Sequence, residues 1–136
     1  MLNEVDFPLT NSQISEFILD EGYTTYFKLQ QALSELLESG FIREESTHHR
    51  TFYHLTEDGA ETIHYFTNDI SPAIQHDIDE FLKEKHYELK NEMSVKADYF
   101  ENSNMEYSVR CQVIEQGLPL IDLTVTAPTE SEAATI

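Results

Sequence analysis

The chain has 136 residues, 40% of them hydrophobic, and carries 26 Asp and Glu against 8 Lys and Arg, a formal net charge of −18. That length suits one compact domain or two small ones, and no apolar run approaches the roughly 20 residues that a membrane-crossing helix needs. The single cysteine, Cys111, excludes an internal disulfide and thiolate-rich metal sites.

At the start, Met1-Leu-Asn-Glu-Val-Asp6 lacks the basic and apolar regions of a signal peptide, so a cytoplasmic protein is expected. In Thr10-Asn-Ser-Gln13 the Thr hydroxyl can accept the Gln13 N–H while the Gln side chain reaches back, and Leu9 can pack on Ile14, which predicts a helix start. Gly22 supplies the left-handed residue that ends this helix, and Thr24 or Thr25 then caps a second one running to Gly40. On that helix Tyr26, Leu29, Ala32, Leu33, Leu36 and Leu37 form one apolar stripe. Phe27, Lys28, Gln31, Ser34, Glu35 and Glu38 fall outside it. Phe27 is expected to tuck under the preceding helix near Ile18 and Leu19, the alternative being contact with a thymine methyl or a partner's apolar groove.

Next come Phe41-Ile-Arg-Glu-Glu45, a polar tip Ser46-Thr-His-His-Arg50, and Thr51-Phe-Tyr-His-Leu55, which fit two strands and a projecting loop. Thr56 caps a further helix over residues 57–68, with Glu57 and Asp58 at the positive end of its dipole. Two helices with a tight turn, then a hairpin, is the element order of a winged helix-turn-helix. Ser71-Pro72 restarts the chain as N-cap and first helical residue. Ile74, Ile78, Phe81, Leu82, Leu89 and Met93 then place one apolar stripe on a long helix from Ser71 to about Met93.

From Val95 the apolar period becomes two. Val95, Ala97 and Tyr99, then Tyr107, Val109, Cys111 and Val113, then Leu118 to Val125 predict an antiparallel meander, with turns at Glu101-Asn-Ser-Asn104 and Gln116-Gly117. Within it Cys111 reads as a small apolar residue rather than a reactive thiol. Pro119 cannot donate a ladder bond, so its strand begins there or lies at an edge. Thr129 and Glu132 have capping-box spacing, although the helix they open is too short to be stable alone.

Arg50-Thr-Phe-Tyr-His-Leu-Thr56-Glu-Asp-Gly59 resembles the second wing strand and following helix of bacterial PadR-like and MarR-like regulators. Asp6-Phe-Pro-Leu-Thr-Asn-Ser-Gln-Ile-Ser-Glu-Phe17, with Leu29-Gln-Gln-Ala-Leu33, resembles an uncharacterised bacterial winged-helix family, the domain of unknown function numbered four-three-six-four, over nearly the whole chain. The resemblance implies a regulator-like fold and lends no settled activity. It also implies a first helix that begins upstream of Met1, so a shortened start is expected, with apolar surface at Ile14, Phe17, Ile18 and Leu33 left open. The C-terminus likewise looks cut.

These readings give an α+β protein: a winged helix-turn-helix domain over residues 1–70, then a long helix and an antiparallel meander over 71–136. The expected function is that of a transcription-regulator-like DNA-binding protein. Thr24, Thr25, Lys28 and Gln31 approach the major groove, and Arg43, His48, His49 and Arg50 touch backbone or minor groove. A homodimer is expected through Ile74, Ile78, Leu82 and Leu89. Against DNA stands the charge, because residues 1–70 hold 3 basic and 13 acidic side chains, and phosphate binding rests on Lys and Arg. The alternative is a winged-helix protein-interaction module that binds no DNA. No catalytic motif appears, so no enzyme and no cofactor are expected. Six histidines at poor spacing predict no metal site.

Overall fold

In the computed structural model, which describes residues 1–115 and 118–136, Thr10 starts the first helix through both halves of the predicted capping box. Its hydroxyl accepts the Gln13 N–H at 3.1 Å and its own N–H donates to Gln13 Oε1 at 2.9 Å. Strand β1 (Leu9–Thr10) therefore leads directly into α1 (Asn11–Asp20). Gly22 and Gly40 sit at φ +70° and +72°, where a side chain is strained. They bracket α2 (Tyr26–Glu38), capped by Thr25. Strands β2 (Ile42–Ser46) and β3 (Thr51–Leu55) form the predicted hairpin, and Thr56 caps α3 (Glu57–Phe66), which ends in a 3-10 turn at Thr67–Asp69. The remaining elements are α4 (Pro72–Glu84), α5 (His86–Ser94), β4 (Val95–Glu101), β5 (Tyr107–Glu115), β6 (Leu118–Ala127) and α6 (Glu130–Thr135).

The chain is thus α+β, with six α-helices and two three-stranded antiparallel sheets among the described residues. The turn expected at Gln116-Gly117 lies outside them. One compact unit comprises Met1–Ser46 with Arg50–Leu89, and the other Thr47–His49 with Lys90–Ile136. Helix α4 and the first half of α5, which the sequence groups with the meander, belong to the first unit.

In the first unit the sheet order is β1-β3-β2, with Leu9 opposite Tyr53. The core holds Leu9, Ile14, Leu29, Leu33, Ile42, Tyr53, Leu82 and Leu89. The expected long helix is two helices, α4 and α5, broken at Lys85, where the backbone leaves helical angles (φ −97°, ψ 6°). Leu82 and Leu89, one on each side of the break, are both buried in the core. Lys85 lies over the Phe81 ring at 5.4 Å and donates to Glu16. Phe81 also meets Phe17, ring centroids 4.9 Å apart, with Tyr23 on Phe17 at 5.9 Å. Phe17 is therefore covered from within the chain, contrary to the expectation that it lies open. Tyr23 donates to Asp77, and that hydrogen bond pushes its phenol up to about 12.

The second unit's sheet has the order β4-β5-β6 and is the predicted meander, with Pro119 on an edge strand. Helix α6 is short, but Ala133 is buried against Val109 and Ala127, and this packing supplies what the isolated helix lacks.

Two substitutions check the packing of the first unit. A Cβ on Gly59 lies 2.0 Å from the Phe41 carbonyl oxygen. Gly59→Ala is therefore expected to cost about 1–3 kcal/mol in urea unfolding. Leu89 is 3% exposed, and Leu89→Ala is expected to cost about 2–5 kcal/mol, because its methyls fill the core. A neutral result for either denies the packing described.

Candidate nucleic-acid interface

The position of α2 is set by a polar cluster at its junction with α1 and β3. Asn11 Nδ2 donates to Gln30 Oε1 at 2.9 Å and to the Tyr53 hydroxyl at 3.0 Å, while Gln30 Nε2 and Ser15 Oγ both donate to Asn11 Oδ1 at 3.1 Å. With Leu29 and Leu33 buried beneath, the opposite face of α2 is turned outward. Thr25 caps the helix, accepting the Lys28 N–H at 3.4 Å, and Thr24 beside it is half-buried.

Lys28 and Gln31 are exposed on this face, as expected. The Gln31 amide is engaged, its Nε2 donating to Glu35 Oε1 at 2.9 Å. Phe27 is 84% exposed and meets only the edge of Tyr26 among aromatic rings. It does not tuck under α1: Leu29 and Leu33 set the buried face of α2, and Phe27 lies off it. Arg43 on β2 and Arg50 just before β3 are exposed. Glu44 and Glu45 follow Arg43 directly, and Glu45 accepts from His54 at 3.0 Å, so the hairpin's cations stand among carboxylates.

The eight residues expected at the interface are drawn from both compact units. Thr24, Thr25, Lys28, Gln31, Arg43 and Arg50 belong to the first unit, whereas His48 and His49 belong to the second. The His48 ring stacks on Tyr99 at 4.0 Å and 14° and is hydrogen-bonded to Asp98 through Nδ1. His49 lies against the same tyrosine at 6.3 Å. Burial by itself raises the Asp98 carboxyl, but hydrogen bonds from the His48 side chain and from the His48 and Tyr99 backbone hold it below its ordinary value. Fifty residues separate His48 from Asp98, and no local pattern marks that pairing in the sequence.

Of the residues expected at a dimer seam, Leu82 and Leu89 are buried in the first unit's own core, Ile78 packs against that core, and Ile74 is half-buried. Among the described residues no group of three or more His, Cys, Asp or Glu side chains is placed to hold a metal ion. Among the described residues no helix is long and apolar enough to cross a membrane. The first unit also carries an apolar cleft of about 310 Å³, lined by residues including Ile14, Ile18, Leu33, Phe41 and Ile63. Ile14 and Leu33, expected to lie open, are only 7% and 5% exposed and belong to the core, and Ile18 packs against it.

A family model described as "Domain of unknown function (DUF4364)" matches residues 1–136, and the chain belongs to that family. Neither the curated proteins nor the solved structures compared with the chain give a match.

The lowered Asp98 carboxyl makes the second unit's stability depend on pH. A depressed carboxyl contributes stability above its unfolded value and loses it as pH falls through the folded one. Both side chains of the pair are nearly half exposed, so Asp98→Asn should cost less than about 1 kcal/mol at neutral pH. The difference from the parent should shrink once the pH drops below the carboxyl's lowered value. Urea unfolding of both proteins across the acid range checks this, and a cost that persists in acid contradicts it.

Proposed function

We propose that this protein is a winged helix-turn-helix protein of transcription-regulator type that binds double-stranded DNA with the outward face of α2. The reading is supported by the two helices joined through a left-handed glycine, by the β2–β3 hairpin after them, and by the resemblance of the hairpin to PadR-like and MarR-like wings. The observation that carries it is the exposure of Thr25, Lys28 and Gln31 along the first turns of α2. Thr and Gln present hydrogen-bonding groups suited to base edges, and Lys suits phosphate. Arg43 and Arg50 supply further phosphate contacts from the hairpin. Such a protein works in the cytoplasm, where the DNA is.

The charge sets the character of that binding. Lys28, Arg43 and Arg50 are the only Lys and Arg residues in positions 1–70. Binding that neutralises Z phosphates falls with salt at a slope of about −0.9Z, so one copy gives a slope no steeper than about −3. Binding is therefore weak without sequence recognition, and specificity rests on base contacts and DNA shape. Lys28→Ala and Arg50→Ala are expected to weaken binding to every duplex alike and flatten the salt slope. Gln31→Ala relaxes preference at one base position. Fluorescence anisotropy with promoter and random duplexes at two salt concentrations measures all three.

A second reading is a protein-interaction module on the same scaffold. It is favoured by the net charge of −18 and by Phe27, which at 84% exposure offers an aromatic anchor at the start of α2. Absence of binding to any duplex at low salt removes the DNA reading and leaves this one.

A further inference from the structure

The two edges of the second unit's sheet differ in how they are guarded. Strand β4 spans seven residues and carries Lys96, Asp98 and Glu101. Strand β6 spans ten and carries one charged side chain, Asp122. That carboxylate is already taken up by Arg110 Nε at 3.0 Å and Nη2 at 2.6 Å and by Gln112 at 3.0 Å, and it is held below its ordinary value chiefly by the Arg110 hydrogen bond. Edge strands present backbone N–H and C=O groups to any incoming strand, and folded proteins usually blunt them with lysine, proline, bulges or cover. The pairing register of β6 slips at Leu120, and from Ile121 to Ala127 it is regular and free of proline. Ile121, Leu123 and Val125 are 43–56% exposed. Helix α6 packs through Ala133 at the end of the sheet that holds Val109 and Ala127.

We propose that β6 pairs antiparallel with β6 of a second copy of this chain, about a two-fold axis through Thr124, so that two three-stranded sheets become one of six strands. The sequence Ile121-Asp-Leu-Thr-Val-Thr-Ala127 alternates aliphatic and polar side chains symmetrically about Thr124. The axis places Leu123 opposite Val125 of the second copy, Ile121 opposite Ala127, Asp122 opposite Thr126, and the two Thr124 residues face to face. Every pair then matches in polarity, and aliphatic and Thr–Thr cross-strand pairs are the favourable ones. An axis through Asp122 sets two carboxylates against each other. An axis through Leu123 brings them closer than the Thr124 register does and runs the regular strand into the slip at Leu120. The charged β4 edge does not offer a second pairing site, so association closes at two chains instead of growing into a filament. Because each chain carries −18, screening the repulsion favours pairing, and the dimer fraction rises with salt. This is the opposite of the salt response expected for DNA binding, and the proposal stands independently of that reading.

Sedimentation of the full chain and site-directed cross-linking test it together. In a Cys111→Ala background, Thr124→Cys should give a covalent dimer under mild oxidation, since directly opposed cross-strand Cβ atoms lie about 4.5–5.5 Å apart. Leu118→Cys, outside the paired stretch, should stay monomeric on the same gel. With Cys111 intact, Leu123→Lys should remain folded by circular dichroism, because position 123 is exposed, and should sediment as monomer where the parent sediments as dimer. The proposal is overturned by a parent that stays monomeric at high concentration and high salt, by assemblies larger than two, or by a dimer that Leu123→Lys leaves intact. Equal cross-linking at positions 118 and 124 also overturns it.

Discussion

The carbonyl of Phe41 is the joint on which the first unit is assembled. Thr56 donates to it twice, from its backbone N–H at 3.1 Å and its hydroxyl at 2.9 Å, and the same hydroxyl reaches the Gly40 carbonyl at 2.7 Å. It then accepts the Gly59 N–H at 3.1 Å, which starts α3. One threonine thus ties the exit of α2, the base of the hairpin and the entry of α3. This is possible because Gly40 reverses the chain at positive φ and because residue 59 has no Cβ to strike Phe41. The hairpin is held at its base by these bonds. The outward face of α2 is held by a different set, the Asn11, Gln30 and Tyr53 hydrogen bonds.

Electrostatics pulls against the use that this scaffold suggests. The cations that would meet phosphate, Lys28, Arg43 and Arg50, are outnumbered in their own half of the chain by 13 carboxylates. His48 does not redress the balance, being engaged by Asp98 and stacked on Tyr99. A protein of this kind gains little from non-specific attraction to DNA. Whatever affinity it has must come from a few matched contacts, and an acidic duplex-binding protein is accordingly selective or weak. The same acidity opposes self-association, and β6, with Asp122 as its one charged side chain, adds little to that repulsion.

Much of the fold was legible because its signals are local. The Thr10 and Gln13 box, the left-handed Gly22 and Gly40, the Thr25 and Thr56 caps and the alternation along β4 to β6 each occupy a few adjacent residues. What stayed hidden depends on distant partners. The two-residue strand β1 exists only because β3 lies beside it. The break at Lys85 leaves no mark in the spacing, because Leu82 and Leu89 lie seven apart on one apolar stripe whether or not the helix is interrupted between them. Leu82 and Leu89 gave an amphipathic stripe without saying what covers it, and the first unit's own core does so. Phe27 was misplaced because angular position on a helix does not reveal how far the neighbouring helix extends. For the site, Thr25, Lys28 and Gln31 were readable as an outward face, whereas the link from His48 to Asp98 was not, being fifty residues long.

The most direct measurement of the central claim is residue-resolved: amide chemical shifts of the full chain, recorded while duplex DNA is titrated in at low salt. Recognition by α2 predicts that the largest shifts fall on Thr25 to Gln31, with smaller ones at Arg43 and Arg50. Shifts confined to other parts of the chain, or none at saturating duplex, contradict it.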